Sequence, residues 1–196
     1  MRLEDMTLQG AEHGSVAVSG DSATFRAGEK TDWFFSPAGT ARSAAVPRLA
    51  WEVCEPVFSL SARVSVDFTS AYDAGAVFIE ADGENWAKIA FEHSAAHKPT
   101  IVSVVTRSTS DDSDGPGFAG RSVFLRVYCD GVSVAFHFSE DGKFWNFLRW
   151  FTIPHLDRRP LRIGLGAQSP TGKGVAATFS DVRLCFDVIP DLRDGR

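Results

Sequence analysis

The chain has 196 residues, which fits one domain spanning 1–196, since single all-β domains reach roughly 200 residues. Hydrophobic residues make up 44% and charged residues 23%, values that exclude disordered and fibrous chains. Twenty basic and twenty-five acidic residues give a net charge of −5, which argues against a general nucleic-acid binder. Sixteen Phe and five Trp predict an aromatic-rich core that needs no cofactor to fill it.

The compartment is predicted from the N-terminus and the cysteines. The first residues, Met1–Asp5, are acidic and lack the basic start and apolar run of a secretory signal. No stretch approaches the roughly 18 apolar residues that span a bilayer. Cys54, Cys129 and Cys185 are widely spaced in strand-like contexts, which predicts buried thiols in a reducing compartment. We therefore expect a cytoplasmic protein that does not associate with membranes.

Alternation of apolar and polar residues with a period of two runs through the whole chain. The clearest case is 58–68, where apolar side chains alternate with Ser, Arg and Asp. Similar runs occupy 123–127, 132–138, 161–165 and 182–188, whereas 36–46 and 108–120 are predicted loops. Turn signals fall between the runs at Asp82-Gly83, Asp130-Gly131, Asp141-Gly142 and the Gly-rich segment 171–174. Many short strands without helical periodicity predict an all-β, two-sheet antiparallel sandwich of jelly-roll type.

The strand at 86–92 carries a mixed polar face. Its odd-numbered positions, Ala87 to Phe91, are apolar and can join the core, while Trp86, Lys88 and Glu92 point the other way. An aromatic ring, an amine and a carboxylate along one face of a strand are unsuited to a hydrophobic core. Such a set of side chains can bind a sugar. The alternative is a solvated outer face with an ordinary Lys/Glu pair.

The preceding strand supports a binding surface. The Asp82-Gly83 turn brings 72–79 alongside, and the small residues 74–76 leave room above the sheet, as the floor of a cleft requires. Asp73 stands where it could face Glu92. The alternative for Asp73 is a carboxylate that stabilises the turn at the start of the strand.

Three further polar residues interrupt apolar strands. Thr106 ends the run 101–105, Gln168 follows the strand 161–167, and Arg149 lies among aromatic residues. Arg149 could bind a carboxylate or phosphate of a ligand, or it could simply pair with Asp73 or Glu92.

A catalytic site and a metal site are two further hypotheses. Asp73 and Glu92 could act as acid and base, but the neighbouring Lys88 would lower the pKa of Glu92, which suits a binding group better than a general acid. Asp111, Asp112 and Asp114 could gather a calcium ion, but no bidentate Glu follows at the expected distance, so a solvated acidic loop is favoured. No metal site is expected.

Seven short segments in chain order resemble the DUF1349 family, whose members are also called regulation-of-enolase-like proteins. The resemblance implies a concanavalin A-like lectin/glucanase fold with a cleft, in a family without a settled activity. The sequence departs from the family pattern at Ala74, where many members have Gln, and at Asp112, where Trp is common. The segments are 31–34, 72–75, 86–92, 105–106, 110–113, 139–149 and 168–170. The site residues carried over are Trp33, Asp73, Trp86, Lys88, Glu92, Thr106, Arg149 and Gln168.

Three hypotheses follow. The first is a cytoplasmic carbohydrate-binding, lectin-like domain, in which Trp33 and Trp86 stack on a sugar or sugar-derived small molecule. The second is a glycoside hydrolase or lyase that uses Asp73 and Glu92. The third is a regulatory protein that binds an enzyme of sugar metabolism, for which an exposed patch of Trp145, Phe147 and Trp150 would be the contact surface. The favoured alternative for these three residues is packing beneath the hairpin that Asp141-Gly142 begins.

Overall fold

The secondary structure is almost entirely β. A computed structural model describes residues 2–196; Met1, the start of the predicted N-terminal segment, lies outside the described residues. Two short 3-10 helices, Leu3–Asp5 and Ala11–His13, are the helices of the described chain. The strands within residues 2–196 are β1 (Thr7–Gln9), β2 (Gly14–Ser19), β3 (Ser22–Ala27), β4 (Asp32–Phe35), β5 (Arg42–Ala45), β6 (Arg48–Val53), β7 (Phe58–Val66), β8 (Ala74–Asp82), β9 (Asn85–His93), β10 (Pro99–Arg107), β11 (Thr109–Gly117), β12 (Ser122–Cys129), β13 (Val134–Ser139), β14 (Asn146–Phe151), β15 (Leu161–Gln168) and β16 (Val175–Cys185).

Two seven-stranded antiparallel sheets form a sandwich. The first sheet has the strand order β1-β6-β15-β8-β9-β10-β11, and the second has the order β14-β13-β12-β7-β16-β3-β2. A separate two-stranded hairpin pairs β4 with β5. The predicted all-β, two-sheet antiparallel sandwich is confirmed.

The main hydrophobic core lies between the two sheets. Strand β7 shows the cause, because its even-numbered residues from Phe58 to Val66 are buried while the intervening polar residues are partly or fully exposed. Ala87, Ile89 and Phe91 of β9 enter the same core from the first sheet, as the alternation predicts.

A second, smaller core lies on the opposite face of the first sheet. Trp33 and Phe35 of β4 pack there against Phe78 of β8, Trp86 of β9 and Val104 of β10. The β4–β5 hairpin therefore covers part of a face that the alternation alone would leave open to solvent. The part of this face that the hairpin leaves uncovered carries the polar side chains of β9, Lys88 and Glu92.

Three sequence expectations about local structure are wrong in whole or in part. The segment 108–120 is largely strand β11, an edge strand, and the predicted loop 36–46 contains strand β5. Cys129 is buried, but Cys54 and Cys185 are exposed and all three thiols are free. An edge strand tolerates Asp, Gly and Pro because one side of its backbone has no partner strand, which explains the misreading of β11.

None of the helices in residues 2–196 has the length and apolar character needed to cross a membrane.

Candidate functional site

A pocket of about 510 Å³ opens on the face of the first sheet that the β4–β5 hairpin only partly covers. This volume lies in the usual range for small-molecule sites. Its lining combines carboxylates, one ammonium, one amide and two aromatic rings with a few apolar or small side chains. These residues are Asp32, Phe34, Tyr72, Lys88, Glu92, Ala95, Val102, Val104, Asp112, Asp114, Gln168, Pro170 and Thr171.

Lys88 forms the floor of the pocket together with Gln168. Lys88 is 2% exposed, and its ammonium donates to the Trp33 carbonyl at 2.8 Å and to Gln168 Oε1 at 2.7 Å. Gln168 Nε2 in turn donates to the Tyr72 carbonyl at 3.4 Å. Burial lowers the pKa of Lys88, although the charges of Asp32 and Glu92 act against this shift. The floor is therefore a fixed pair of polar side chains. Because an ammonium has three N–H groups and two of those of Lys88 are used, the third can donate to a ligand.

Glu92 is a buried carboxylate without a hydrogen-bond partner among the described residues. It lies on the same face of β9 as Lys88, lines the pocket and is 8% exposed. Burial raises the pKa of Glu92 to about 7, and the charge of Lys88 only partly offsets this effect. Lys88 does lower the pKa of Glu92, as expected, but the loss of solvation outweighs this attraction and the net pKa is raised. The inference that the pKa of Glu92 suits a binding group better than a general acid is therefore wrong.

Three further carboxylates surround this group. Asp32 reaches the pocket from β4, and Asp112 and Asp114 reach it from β11. Burial raises the pKa of Asp32, while Lys88 and the Trp33 backbone amide lower it. Four carboxylates and one ammonium thus line the pocket, so the region is strongly acidic when all are ionised.

The sequence prediction missed these carboxylates and both aromatic walls, Phe34 and Tyr72. A usable signal existed at β4, where Asp32 and Phe34 alternate with Trp33 and Phe35. Because alternate residues face opposite ways, the choice of Trp33 for the site excluded its neighbours on the other face.

Trp33 and Trp86 do not offer open ring faces. The two rings stack on each other with centroids 4.3 Å apart, and they are 3% and 0% exposed. The Arg48 guanidinium lies 4.3 Å from the Trp33 ring centroid, and the Phe35 ring packs edge-on against Trp86. The expectation that these tryptophans stack on a sugar is corrected accordingly, because protein groups already occupy their faces.

Asp73 is held in a loop and does not line the pocket. Its Oδ2 accepts hydrogen bonds from the Thr69 amide, the Thr69 hydroxyl and the Ser70 amide at 2.8–2.9 Å. Its Oδ1 accepts from the Ser169 hydroxyl at 2.6 Å. Ala74, the next residue, is the register partner of Glu92, so alternation directs Asp73 to the other side of the strand. The structure therefore does not bring Asp73 and Glu92 together as a catalytic pair.

Thr106 and Arg149 also lie outside the pocket. The Thr106 hydroxyl is 2.8 Å from that of Ser110, which accepts a hydrogen bond from the Phe35 amide and so anchors the β4–β5 hairpin. Arg149 pairs with Asp111 at 2.7 Å and donates to Ser103, a residue on the core-facing side of β10. Of the eight predicted site residues, Lys88, Glu92 and Gln168 line the pocket.

The acidic residues do not converge on a metal position. Among residues 2–196, no group of three His, Cys, Asp or Glu side chains is arranged to hold a metal ion. Asp111 faces Arg149, whereas Asp112 and Asp114 face the pocket, so the three residues considered for calcium are divided between two faces of β11.

The aromatic patch proposed for a protein partner is mostly covered by the C-terminal segment. Trp145 is 8% exposed, and its backbone amide donates to the Gly195 carbonyl. The Arg193 guanidinium lies 4.2 Å from the Phe147 ring centroid. Trp150 remains 55% exposed, so a single ring rather than a three-residue patch faces solvent.

The fold and pocket define an all-β, two-sheet antiparallel sandwich with a small-molecule-sized acidic pocket on one sheet. Residues 11–185 match the DUF1349 family, described as a protein of unknown function, and the chain belongs to this family. No curated protein matches the sequence.

Solved structures with similar folds include three of different kinds. A functionally unknown protein from Saccharomyces cerevisiae is 25% identical, with a TM-score of 0.87 over 96% of this chain and 100% of that one. A GH43 protein from Bacillus licheniformis is 14% identical, with a TM-score of 0.70 over 90% of this chain but only 35% of that one. Lectin I-B4 from Griffonia simplicifolia is 12% identical, with a TM-score of 0.58 over 94% of each chain. The last two likenesses establish the fold alone.

Proposed function

We propose that the protein binds a sugar or sugar-derived small molecule in the pocket lined by Lys88, Glu92 and Gln168. The observation that carries this proposal is the fixed Lys88–Gln168 pair at the floor, together with the carboxylate of Glu92, which accepts no hydrogen bond from the part of the chain that the structure describes. Fixed donors and acceptors in a partly apolar pocket are what recognition of a polyhydroxylated ligand requires. Lectin and GH43 structures with the same fold are compatible with a carbohydrate ligand.

The side chains divide the work of recognition. The third N–H of Lys88 and the carboxylate of Glu92 supply a donor and an acceptor for hydroxyl groups. Phe34 and the 41%-exposed Tyr72 supply apolar surface in place of the buried tryptophans. A sugar ring has both hydroxyl edges and C–H faces, so it matches this combination of polar and aromatic groups.

A thermal-shift screen of the intact protein against neutral sugars, amino sugars, sugar acids and sugar phosphates tests the proposal. A ligand at 100 times its dissociation constant adds about 2.7 kcal/mol to the unfolding free energy. The shift should shrink markedly in Tyr72→Ala and persist in Phe144→Ala, a change at an aromatic residue that is 60% exposed and does not line the pocket. No shift with any sugar class would contradict the proposal.

A glycosidase-type reaction is the second candidate, and the pKa of Glu92 is the observation that favours it. A carboxyl with a pKa of about 7 can hold a proton near neutral pH and donate it as a general acid. The carboxylates of the same pocket that could act with it are Asp32, Asp112 and Asp114, whereas Asp73 does not line the pocket. Hydrolysis of an aryl glycoside that disappears in Glu92→Gln, while the folded protein persists, would support catalysis; absence of turnover with every bound sugar would exclude it.

Binding to an enzyme of sugar metabolism is a further proposal, but the patch of Trp145, Phe147 and Trp150 expected to support it is mostly covered. Cytoplasmic localisation is likewise a proposal, drawn from the sequence.

A further inference from the structure

We infer that the sugar bound in this pocket carries a protonated amine, because acidic groups surround a buried carboxylate that has no hydrogen-bond partner within residues 2–196. This inference rests on the proposed sugar-binding function and specifies the chemical class of its ligand.

The charges in the pocket do not balance. Asp32, Glu92, Asp112 and Asp114 contribute four carboxylates, and Lys88 contributes the one ammonium among the described residues of the lining. Lys88 already donates to the Trp33 carbonyl and to Gln168, and it forms no ion pair within the described chain. The surplus of acidic groups therefore creates a negative potential that attracts a cationic ligand and repels an anionic one.

Glu92 identifies the position where the positive charge is needed. Its side chain is 8% exposed and lines the pocket, but it accepts no hydrogen bond from the described residues. A buried carboxylate is costly without a charged or hydrogen-bonding partner. A ligand ammonium group would supply both, and charge-assisted hydrogen bonds of this kind are about twice as strong as neutral ones.

A metal ion fits the same carboxylates less well. They come from three strands, β4, β9 and β11, and no three of the acidic groups in residues 2–196 are arranged to hold a metal. Carboxylates that are spread over three strands are better matched by a larger organic cation, whose hydroxyl groups can donate to the carboxylates that its ammonium does not reach. An amino sugar has this shape and charge.

The protonation of Glu92 gives the inference a specific signature. The groups that face Glu92 are Lys88 on its own strand, Asp32 on β4, and Asp112 and Asp114 on β11, and Tyr72 lines the same pocket. Burial holds the pKa of free Glu92 at about 7, and a bound ammonium would lower it. Binding of an amine at pH 6.5 should therefore release protons, and affinity should rise with pH towards 7.

The experiment is isothermal titration calorimetry with matched probes. Glucosamine, galactosamine and mannosamine are each compared with their N-acetyl derivative and their parent hexose, and cyclohexylamine serves as an amine without hydroxyl groups. Titrations at pH 6.5 in two buffers of different ionisation enthalpy measure proton release. We expect one hexosamine to bind at least about tenfold more tightly than its N-acetyl and hexose counterparts.

Variants assign this preference to the pocket. Glu92→Gln should remove both the amine preference and the proton release, and Asp112→Asn should weaken the preference. Asp111→Asn is the matched control, because it removes one charge from the same strand on the face that contacts Arg149. It should leave the preference unchanged.

The two levels of the proposal fail in different ways. If a neutral hexose or an N-acetylhexosamine binds as tightly as the amine, the inference is overturned and the sugar site stands. If cyclohexylamine binds and no sugar does, or if no probe binds, the sugar site itself is contradicted and the inference falls with it.

Discussion

Lys88 and Gln168 are 80 residues apart in the sequence, yet the ammonium of one lies 2.7 Å from the amide oxygen of the other. They belong to β9 and β15, which flank β8, so their side chains meet across the strand between them. Lys88 is in register with Phe78, and Gln168 with Ala74. Ala76 lies between these two positions, and its small side chain leaves room for the contact.

Filling this gap should disrupt the pocket floor. In Ala76→Leu the larger side chain would compete with the Lys88–Gln168 contact, and overpacking should lower the unfolding free energy by about 1–3 kcal/mol. Affinity for the sugar found by screening should fall by at least about tenfold. Ala176→Leu, at a half-buried position of the second sheet, is the control. Equal affinity in both variants would show that the floor pair does not contact the ligand.

The stacked tryptophans should matter for stability rather than for binding. Trp86→Phe removes part of a fully buried ring, so we expect the unfolding free energy to fall by about 1–3 kcal/mol, as for other large-to-small changes. Affinity for the sugar should change by less than about threefold, because the ring does not line the pocket. Urea unfolding and calorimetry measure the two quantities; a large loss of affinity in a stable variant would contradict this assignment.

Asp73 should likewise stabilise the fold. Asp73→Ala leaves four donors without their acceptor, from Thr69, Ser70 and Ser169, and we expect the unfolding free energy to drop by about 3 kcal/mol. Asp21→Ala, at an exposed turn between β2 and β3, should change it by less than about 0.5 kcal/mol. Similar stabilities for the two variants would show that the Asp73 network contributes little.

Glu92 should make the protein less stable as the pH rises. Its pKa is about 7 in the folded protein and 4.5 for an unperturbed Glu, so the folded state holds more protons between these values. Stability from this group is therefore present below pH 4.5 and lost as the pH rises to 7, by roughly 3 kcal/mol in total. Compared with wild type, Glu92→Gln should gain stability at pH 8 and not at pH 4.5. A constant difference across this range, measured by urea unfolding, would contradict the pKa assignment.

His137 should have the opposite dependence in the same range. Burial, aided by the charge of Arg126, lowers the pKa of His137 to about 4, although its bond with the Leu192 carbonyl acts in the other direction. The unfolded chain, with a pKa near 6.5, binds the proton first, so stability falls by roughly 3 kcal/mol as the pH drops from 6.5 to 4. The difference in stability between wild type and His137→Gln should therefore shrink on acidification. A pH-independent difference would show that His137 titrates normally.

Alternation along single strands was enough to predict the sandwich and the face of β9 that carries Lys88 and Glu92. It could not predict what covers that face, because the β4–β5 hairpin packs Trp33 onto Trp86 through contacts distant in sequence. The aromatic residues available to a ligand were therefore misassigned.

The acidic wall was missed for a different reason. Asp112 and Asp114 lie in a segment rich in Asp, Gly and Ser that resembles a loop, and only pairing with β10 makes it a strand whose alternate residues face the pocket. Asp73 was assigned to the site wrongly because its hydrogen bond with Ser169 joins segments 96 residues apart. Long-range contacts of this kind leave no periodic signal in the sequence.

The most direct test of the sugar site is an NMR titration of the 15N-labelled protein with the sugar that gives the largest thermal shift. We expect the largest amide shift changes at residues of the pocket, including Glu92, Asp112 and Gln168, with Asp111→Asn unaffected and Tyr72→Ala weakened. Shift changes confined to another surface, or absent at saturating sugar, would contradict the assignment of this pocket as the binding site.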